Sequence, residues 1–509
     1  MANESPLEGQ VYWDRRDEGL VPVIWNRLKG RYEDVTWAPQ PGSQEAFLRC
    51  GLWEVLYAGT RGPGKTDALL MDFAQFVGRG YGPDWRGILF RRTYPELGDV
   101  IAKSRKWFPK IFPNARYNSG EHFWTFPDGE TLLFRHFKVP DDYWSYHGHA
   151  YPWIGWEELT TWPSPDCYTS MFSCSRSTVK SMPRRIRSTT NPYGVGHNWV
   201  KHRFRLPVPN HRMATPVIKD SVDKNGDLEP PRVAITGHIN ENQVLLYADP
   251  GYVARIKSAA RNQNELDAWL NGSWDIVAGG MFDDVWDRHV HVLPNISLDR
   301  IPKGWKIDRS YDHGQSRPFS VGWWAESNGE PLRLNGVLYG PVRGDLIRIA
   351  EWYGWTGEPN VGLRMLTSEI AQGILDREQQ WGIKGRVKAG VADASIFDQY
   401  EPGKSVVGEM RKVGVDWQPA DKGQGSRKQG WEQLRERMKG SHSGPEGVRE
   451  TPGIFVLESC QQFCRTVPVI ARDDRDLDDV NTDAEDHIAD EVRYRVRNKM
   501  RKFKRSSWG

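Results

Sequence analysis

The sequence predicts an α/β chain of two large domains, the first built on a mostly parallel, doubly wound sheet and the second on a sheet that opens with antiparallel strands. Three observations carry this. At 509 residues the chain exceeds what one ordinary core organises. Through the first half, short apolar runs alternate with helix-like segments, the order of a parallel sheet covered on both faces. From "WKIDRSYDHG" onward, strand-like runs follow one another across turns before helices and strands alternate again.

In the first half, "PGSQEAFLRC" reads as a turn and a short helix, and "WEVLYAG" as a strand entering a glycine-rich turn. "KTDALLMDFAQFVGRG" has apolar residues at helical spacing and closes on glycines, which stop helices. Further strands are expected at "RGILFRR" (86–92), "TLLFRHF" (131–137), "YPWIGW" (151–156) and "RIRSTTN" (185–191). Tyr252 to Trp274 reads as a helical pair ending at Gly272. The first domain is therefore expected over 1–275, with a small lid or linker subdomain at about 237–275 and a connector over 276–300.

The second domain, 301–509, begins with strand candidates "WKIDRSYDHG", "FSVGWWAE", "LRLNGVLYG" and "LIRIAEWYG", then the helix "VGLRMLTSEIAQGILDREQQWG". The strand "RVKAGVAD", a polar segment over 416–446, the strand "GIFVL", a helix through Cys460 and a last helix from about Ala484 to Met500 complete it. Antiparallel strands followed by alternating helices and strands is the order of a ribonuclease H-like domain.

Composition narrows the class. A formal charge of +3 is nearly neutral, so affinity for nucleic acid has to come from local clusters of Lys and Arg. Five scattered cysteines fit reduced thiols better than a disulfide framework, and Cys460 and Cys464 read as a buried helix face rather than a zinc site. The opening "MANESPLEGQ" lacks a basic segment followed by an apolar run, and no apolar stretch is long enough to span a bilayer, so a soluble chain is expected. The 24 Trp residues are expected mainly in core packing.

Gly59, Gly64, Lys65 and Thr66 fit G-x-x-x-x-G-K-[ST] without a gap, between a strand and a helix. This is a P-loop. Backbone N–H groups from Gly59, Thr60, Arg61, Gly62 and Gly64 turn around phosphates, with Pro63 as a spacer in the same turn; Lys65 supplies a cation, and the Thr66 hydroxyl suits Mg²⁺. ATP with Mg²⁺ is the expected cofactor. Arg61 is either a solvated loop charge or a cis-acting arginine on phosphate oxygens. Hydrolysis needs acids at the end of a second strand; "YPWIGWEEL" offers Glu157 toward the metal and Glu158 to polarise the attacking water.

A second set of carboxylates lies downstream. Asp312 follows a strand in "YDHGQ", Asp393 ends "VKAGVAD", and Asp486 and Asp490 sit one turn apart near the start of the last helix. Carboxylates converging from two strands and a helix can hold two divalent metals about 4 Å apart, Mg²⁺ or Mn²⁺, for phosphodiester cleavage. Asp308 competes with Asp312, but the residue beside His313 and Gly314 is preferred. "KGQGSRKQG" (422–430), with Lys422, Arg427 and Lys428, is expected as a mobile basic loop, and the tail "RYRVRNKMRKFKRSSWG" as a cationic strip; both suit phosphate contacts without sequence reading.

Taken together these motifs resemble the large terminase subunit of tailed double-stranded DNA bacteriophages, the motor that packages the genome. The resemblance covers nearly the whole chain. "PGSQEAFL" looks like the family's adenine-contacting motif, implying that Gln44 lies near the base. "GILFRRTYPEL" is similar to its second ATPase strand, "YHGHAYPWIGWEEL" to its Walker B region, and "STTNP" to its coupling motif at Thr189, Thr190 and Asn191; "LNGSW", "SYDHG", "VADAS" and "DHIADEVRY" follow in order. Glu157 departs from the family's usual Asp, and the pattern leaves open which of Asp486 and Asp490 completes the metal site.

The resemblance implies an ASCE-type ATPase domain, a ribonuclease H-like nuclease domain, and an ATP-driven motor that moves viral double-stranded DNA through the portal protein into the procapsid and cuts concatemers. It further implies a homo-oligomeric ring, commonly a pentamer, a small terminase partner, and a place in the host cytoplasm, docked transiently on the procapsid. The alternative reading is a helicase or restriction-type translocase with an attached nuclease, which would call for a second motor-like domain. A scaffold with decayed sites is disfavoured by intact Lys65, Thr66 and Glu158.

Overall fold

The computed structural model describes residues 10–498, apart from 18, 208–212, 224–225, 261–262, 275–279, 335, 445–447 and 474. The chain divides into two compact units, Met1–Ala278 and Gly279–Gly509.

The first unit opens with a three-stranded antiparallel sheet, β1 (Val11–Arg16), β2 (Gly19–Asn26) and β3 (Arg31–Asp34), absent from the sequence-based expectation. Its strands are mostly half-buried or exposed, so they lack the clean apolar alternation that marks a strand. The main sheet contains β4 (Glu54–Gly59), β5 (Arg86–Arg91), β6 (Arg116–Asn118), β7 (Phe123–Thr125), β8 (Thr131–His136), β9 (Trp153–Trp156), β10 (Arg185–Thr189) and β11 (Arg232–Gly237). They lie in the order β11-β4-β10-β9-β5-β8-β7-β6. The first six are mutually parallel and the last two pair antiparallel. Every residue of β4, β9 and β10 is buried, as expected of strands covered on both faces.

Leu69, Leu70 and Phe73 of the helix Lys65–Ala74 pack in one apolar cluster with Val55, Tyr57 and Leu89; Leu56, Ile88 and Ile154, alternate residues of the same sheet, pack in another with Trp156, Trp162 and Tyr168. A buried ion cluster locks this helix to the sheet. Asp72 accepts from Arg185 Nε (3.0 Å) and the Trp153 indole (2.9 Å), with Arg187 Nε at 3.2 Å. The register of the helix against β9 and β10 is thereby set. The helical pair forms as Tyr252–Ala259 and Gln263–Asn271.

The second unit contains β12 (Val292–Leu293), β13 (Lys306–Asp312), β14 (Ser320–Glu326), β15 (Leu332–Leu334), β16 (Val337–Tyr339), β17 (Leu346–Tyr353), β18 (Val387–Ala392), β19 (Gln399–Glu401), β20 (Lys404–Ser405), β21 (Trp417–Pro419) and β22 (Ile454–Leu457). Its seven-stranded sheet runs β12-β22-β17-β14-β13-β18-β21, with β14 antiparallel to both neighbours and all other pairs parallel. "LRLNGVLYG" forms the separate hairpin β15–β16 instead of a strand of this sheet. Trp323 and Trp324 point to opposite faces. The first packs with Ile370 and Ile374 of the helix Thr367–Gln380, the second with Trp431 of the helix Ser426–Gly440 and Ile488 of the helix His487–Arg497.

Three expectations need correction. Cys460 precedes the helix Gln461–Thr466 rather than lying within it, although it is buried as anticipated. The polar segment 416–446 contains β21 and the helix Ser426–Gly440, so Arg427 and Lys428 stand in a helical first turn and not in a mobile loop. The side chains then find acids: Lys428 pairs with Asp476 (2.6 Å), Lys422 with Asp393 (2.9 Å) and Arg427 with Asp479 (2.8 Å). In the tail, Arg493, Arg495 and Arg497 pair with Asp490, Asp308 and Asp421, so these three are structural cations; residues 499–509 lie outside the described residues. Among the described residues eight tryptophans are fully buried, in keeping with a packing role. Among the described residues no helix is long and apolar enough to cross a membrane.

Candidate active sites

The glycine-rich loop leaves β4 at Gly59 and ends where the helix Lys65–Ala74 begins. At Gly59 φ is +133°, and a Cβ would lie 2.0 Å from the Gly237 carbonyl oxygen; at Gly64 φ is +84°, and a Cβ would meet the Gln44 side chain at 2.3 Å. Both positions require glycine on conformational and steric grounds. Thr60 N–H donates to Gly237 O and Arg61 N–H to Trp269 O, which anchors the first half of the loop. Lys65 lies at the helix N-terminus, where backbone N–H groups and the helix dipole favour an anion.

The Lys65 ammonium donates to Thr60 O (2.6 Å) and to Asn191 Oδ1 (2.8 Å). Burial pushes its pKa down to about 8, with the Glu158 carboxylate opposing. Asn191 follows β10, the strand between β4 and β9, and its amide nitrogen donates to both Glu158 oxygens (3.1 and 3.3 Å). The sheet order thus inserts Asn191 between the loop lysine and the acid. Glu158 adopts φ +55°, a left-handed conformation unusual for a non-glycine residue and costing roughly 1–3 kcal/mol. This turn aims its side chain back at Asn191 and at the Tyr193 hydroxyl, which also donates to it. Glu157, buried beside Arg91 (3.6 Å), accepts from the Thr66 hydroxyl, and burial raises its pKa to about 7 against the pull of Arg91.

Lys65, Thr66, Glu157, Glu158 and Asn191 therefore form one connected group. A cavity of about 630 Å³ opens beside it, within the size range of ligand pockets. Gln44 lines it, with its amide nitrogen on Gly64 O (2.9 Å) and its amide oxygen on Gln40 N–H (2.7 Å). Trp13, Leu20 and Pro22 of the N-terminal sheet form part of the wall. The exposed Arg61 guanidinium stacks on Trp269, 3.8 Å from the ring centroid.

In the second unit, parallel pairing of Tyr311 with Ala392 places Asp312 and Asp393 at the same end of adjacent strands, and Asp393 N–H donates to Tyr311 O (2.9 Å). The helix His487–Arg497 packs on β13, β14 and β18 and brings Asp486 and Asp490 to that end. Burial raises Asp312 to about 6, with His487 opposing at 3.5 Å, and raises Asp486 to about 7, with Asp490 adding repulsion. Burial alone would also raise Asp393, but hydrogen bonds from Ser395 and Lys422 bring it below the usual carboxylate range. Arg427 spans Asp479, Asp486 (3.5 Å) and Asp490 (3.1 Å). Asp308, the competing acid, is buried against Arg495 (2.6 Å) instead.

His487, Asp479 and the inward-facing Arg427 were missed from sequence. Only the juxtaposed His in "DHIAD" hinted at the first, while the other two depend on long-range packing. The carboxylates are the hard oxygen donors that Mg²⁺ or Mn²⁺ takes. Asp393 and Asp490 are nonetheless turned to protein cations, and among the described residues no three His, Cys, Asp or Glu side chains converge at metal-holding spacing.

No family model and no curated protein matches this chain. Solved structures do. The chain is similar to a large terminase from a thermophilic bacteriophage, at 14% identity over 90% of this chain and 98% of that one, with a TM-score of 0.37. It is similar to the HK97 bacteriophage large terminase at 12% identity, 91% and 95% coverage and a TM-score of 0.38. The P22 large terminase nuclease domain matches 43% of this chain and 90% of its own length at 15% identity, with a TM-score of 0.30. Likeness at this level carries no functional argument, which rests on the residues themselves.

Proposed function

We propose that this chain is a large terminase subunit: an ATP-hydrolysing motor that drives viral double-stranded DNA through a portal into a procapsid, joined to a metal-dependent nuclease that cuts the DNA. The observation that carries the reading is the group Lys65–Asn191–Glu158, in which a P-loop lysine and an acid at the end of a second strand share one amide. Lys65 is read as the cation for the β and γ phosphates, Thr66 and Glu157 as the metal-side pair, and Glu158 as the acid that orients the attacking water. Asn191 is read as the link that reports nucleotide state between them. The strand order, with β10 between β4 and β9, supports an ASCE-type domain.

The order β17-β14-β13-β18-β21, antiparallel then parallel, supports the ribonuclease H-like reading of the second unit. Asp312, Asp393, Asp486 and Asp490 are its proposed metal-binding acids. Divalent metal held by them would supply an activated water and stabilise the leaving oxygen. Loading requires Asp393 and Asp490 to give up Lys422 and Arg427. Assembly as a ring on the portal with a small terminase partner belongs to the same proposal.

The test is packaging of DNA into purified procapsids with this protein and ATP. Protection of packaged DNA from added nuclease is expected with the native chain and with Asp312→Asn on pre-cut DNA, and none with Lys65→Ala. Strand separation of duplex DNA without packaging would favour a helicase instead.

A further inference from the structure

The nucleotide cavity has a wall that the P-loop motif does not include. The helix Leu97–Ile111 forms part of it; its Leu97, Val100, Ser104 and Phe108 are buried in the domain core. The adjoining stripe of this helix presents Lys103, Lys106 and Trp107 to the cavity. The Trp107 indole N–H donates to Asp67 Oδ1 (2.9 Å), which ties this helix to the first turn of the P-loop helix. The stripe is thus held in a fixed place relative to Lys65.

Charge around the cavity is unbalanced. Arg61, Lys65, Lys103 and Lys106 line it, against the carboxylates of Asp67 and Glu158. Such an excess of cations converging on one cleft is complementary to a polyanion. Lys103 is the best placed of the added pair. It lies close enough to the Lys65 ammonium and to Glu157 for its charge to act on both. Its fold partner is weak: Asp99 at 3.3 Å, one helical turn away and largely exposed, a kind of pair that contributes little and releases easily. Lys106, by contrast, rests its ammonium over the Trp107 ring at 4.7 Å.

We propose that Lys103 is a phosphate-binding residue of this pocket, reaching the terminal phosphate of a nucleoside triphosphate together with Lys65. This rests on the reading of the cavity as a nucleotide site. A terminal phosphate follows from what surrounds Lys103: its helix is tied through Trp107 to Asp67, next to Thr66, and the same cavity is lined by Thr66 and by Glu158, the acid read as orienting the attacking water. A nucleoside diphosphate lacks that phosphate, so Lys103 discriminates between the two.

The experiment is equilibrium binding of ATPγS and ADP, each with Mg²⁺, to the full chain and to Lys103→Ala, Lys103→Arg and Asp99→Ala. A charge-assisted hydrogen bond lost from Lys103→Ala weakens ATPγS binding by about tenfold or more, while ADP binding changes by less than about threefold. Lys103→Arg restores most of the loss, and Asp99→Ala, which removes only the exposed pair, leaves both nucleotides unchanged. Equal weakening of the two nucleotides by Lys103→Ala, or none, overturns the assignment while leaving the nucleotide site intact. Native protein that binds neither nucleotide overturns the pocket reading together with it.

Discussion

Glu158→Gln separates the chemical role of the acid from its structural one. Gln keeps the length of the side chain and an oxygen that accepts from Asn191 Nδ2 and the Tyr193 hydroxyl, so the left-handed turn at 158 and the cavity wall should persist. What disappears is the carboxylate. Loss of a positioned base costs about 10²–10⁴ in rate, which is about 2.7–5.5 kcal/mol in the barrier. A second consequence concerns Lys65. Burial holds its pKa down to about 8 and the Glu158 charge is the main force opposing that, so the variant should carry a lysine that loses its proton at lower pH. Steady-state hydrolysis should therefore fall by at least about a hundredfold. ATPγS should still bind near pH 6.5, with affinity declining toward pH 8 earlier than in the native chain. Turnover within threefold of native, or loss of binding in parallel with turnover at pH 6.5, would refute the assignment of Glu158 as the hydrolytic acid.

Three further outcomes are expected. Asp312→Asn or Asp393→Asn should abolish Mg²⁺- or Mn²⁺-dependent plasmid cleavage while sparing ATP hydrolysis, measured on the same preparations. Asp312 and Asp486 have pKa values raised by burial to about 6 and about 7, so they stabilise the fold most below the unfolded value near 4 and lose that contribution as pH rises through 6 to 7. On the proposed reading a metal held by these acids would displace those protons; Mn²⁺ affinity from calorimetry should therefore climb from pH 5.5 to 7.5 and then level off. Asp72→Ala should destabilise the first unit by about 3–5 kcal/mol, because Arg185 and Arg187 are left buried without their partner; a thermal midpoint unchanged from native would show that the cluster is dispensable.

Much of the candidate nucleotide site was legible because it is written locally. Gly59, Gly64, Lys65 and Thr66 are contiguous enough that one turn between a strand and a helix brings them together, and Glu157 and Glu158 end a strand that any apolar-run reading finds. The fully buried β9 was equally plain as a continuous apolar run, whereas buried β10 carries Arg185 and Arg187, which burial tolerates because Asp72 pairs with both. The N-terminal sheet was not plain, because half-exposed strands carry no such pattern. The basic segment at 422–430 misled for a related reason. A run of Lys, Arg and Gly looks like a solvated loop until its acidic partners, distant in sequence, are known.

By itself, then, the sequence determined which side chains one glycine-rich turn gathers and which acids end the neighbouring strand, since backbone conformation at a loop and the end of a strand are local properties. Only the tertiary structure decided who shares a proton or a charge with whom. Asn191 lies between Lys65 and Glu158 because β10 is inserted between β4 and β9, and Arg427 reaches Asp486 and Asp490 because two helices pack on one face of the second sheet. Lys103 lines the same cavity as Lys65, on a helix that an indole ties to Asp67. Electrostatic interaction depends on distance through space, and distance through space between remote segments is set by packing, which no local stretch of sequence contains.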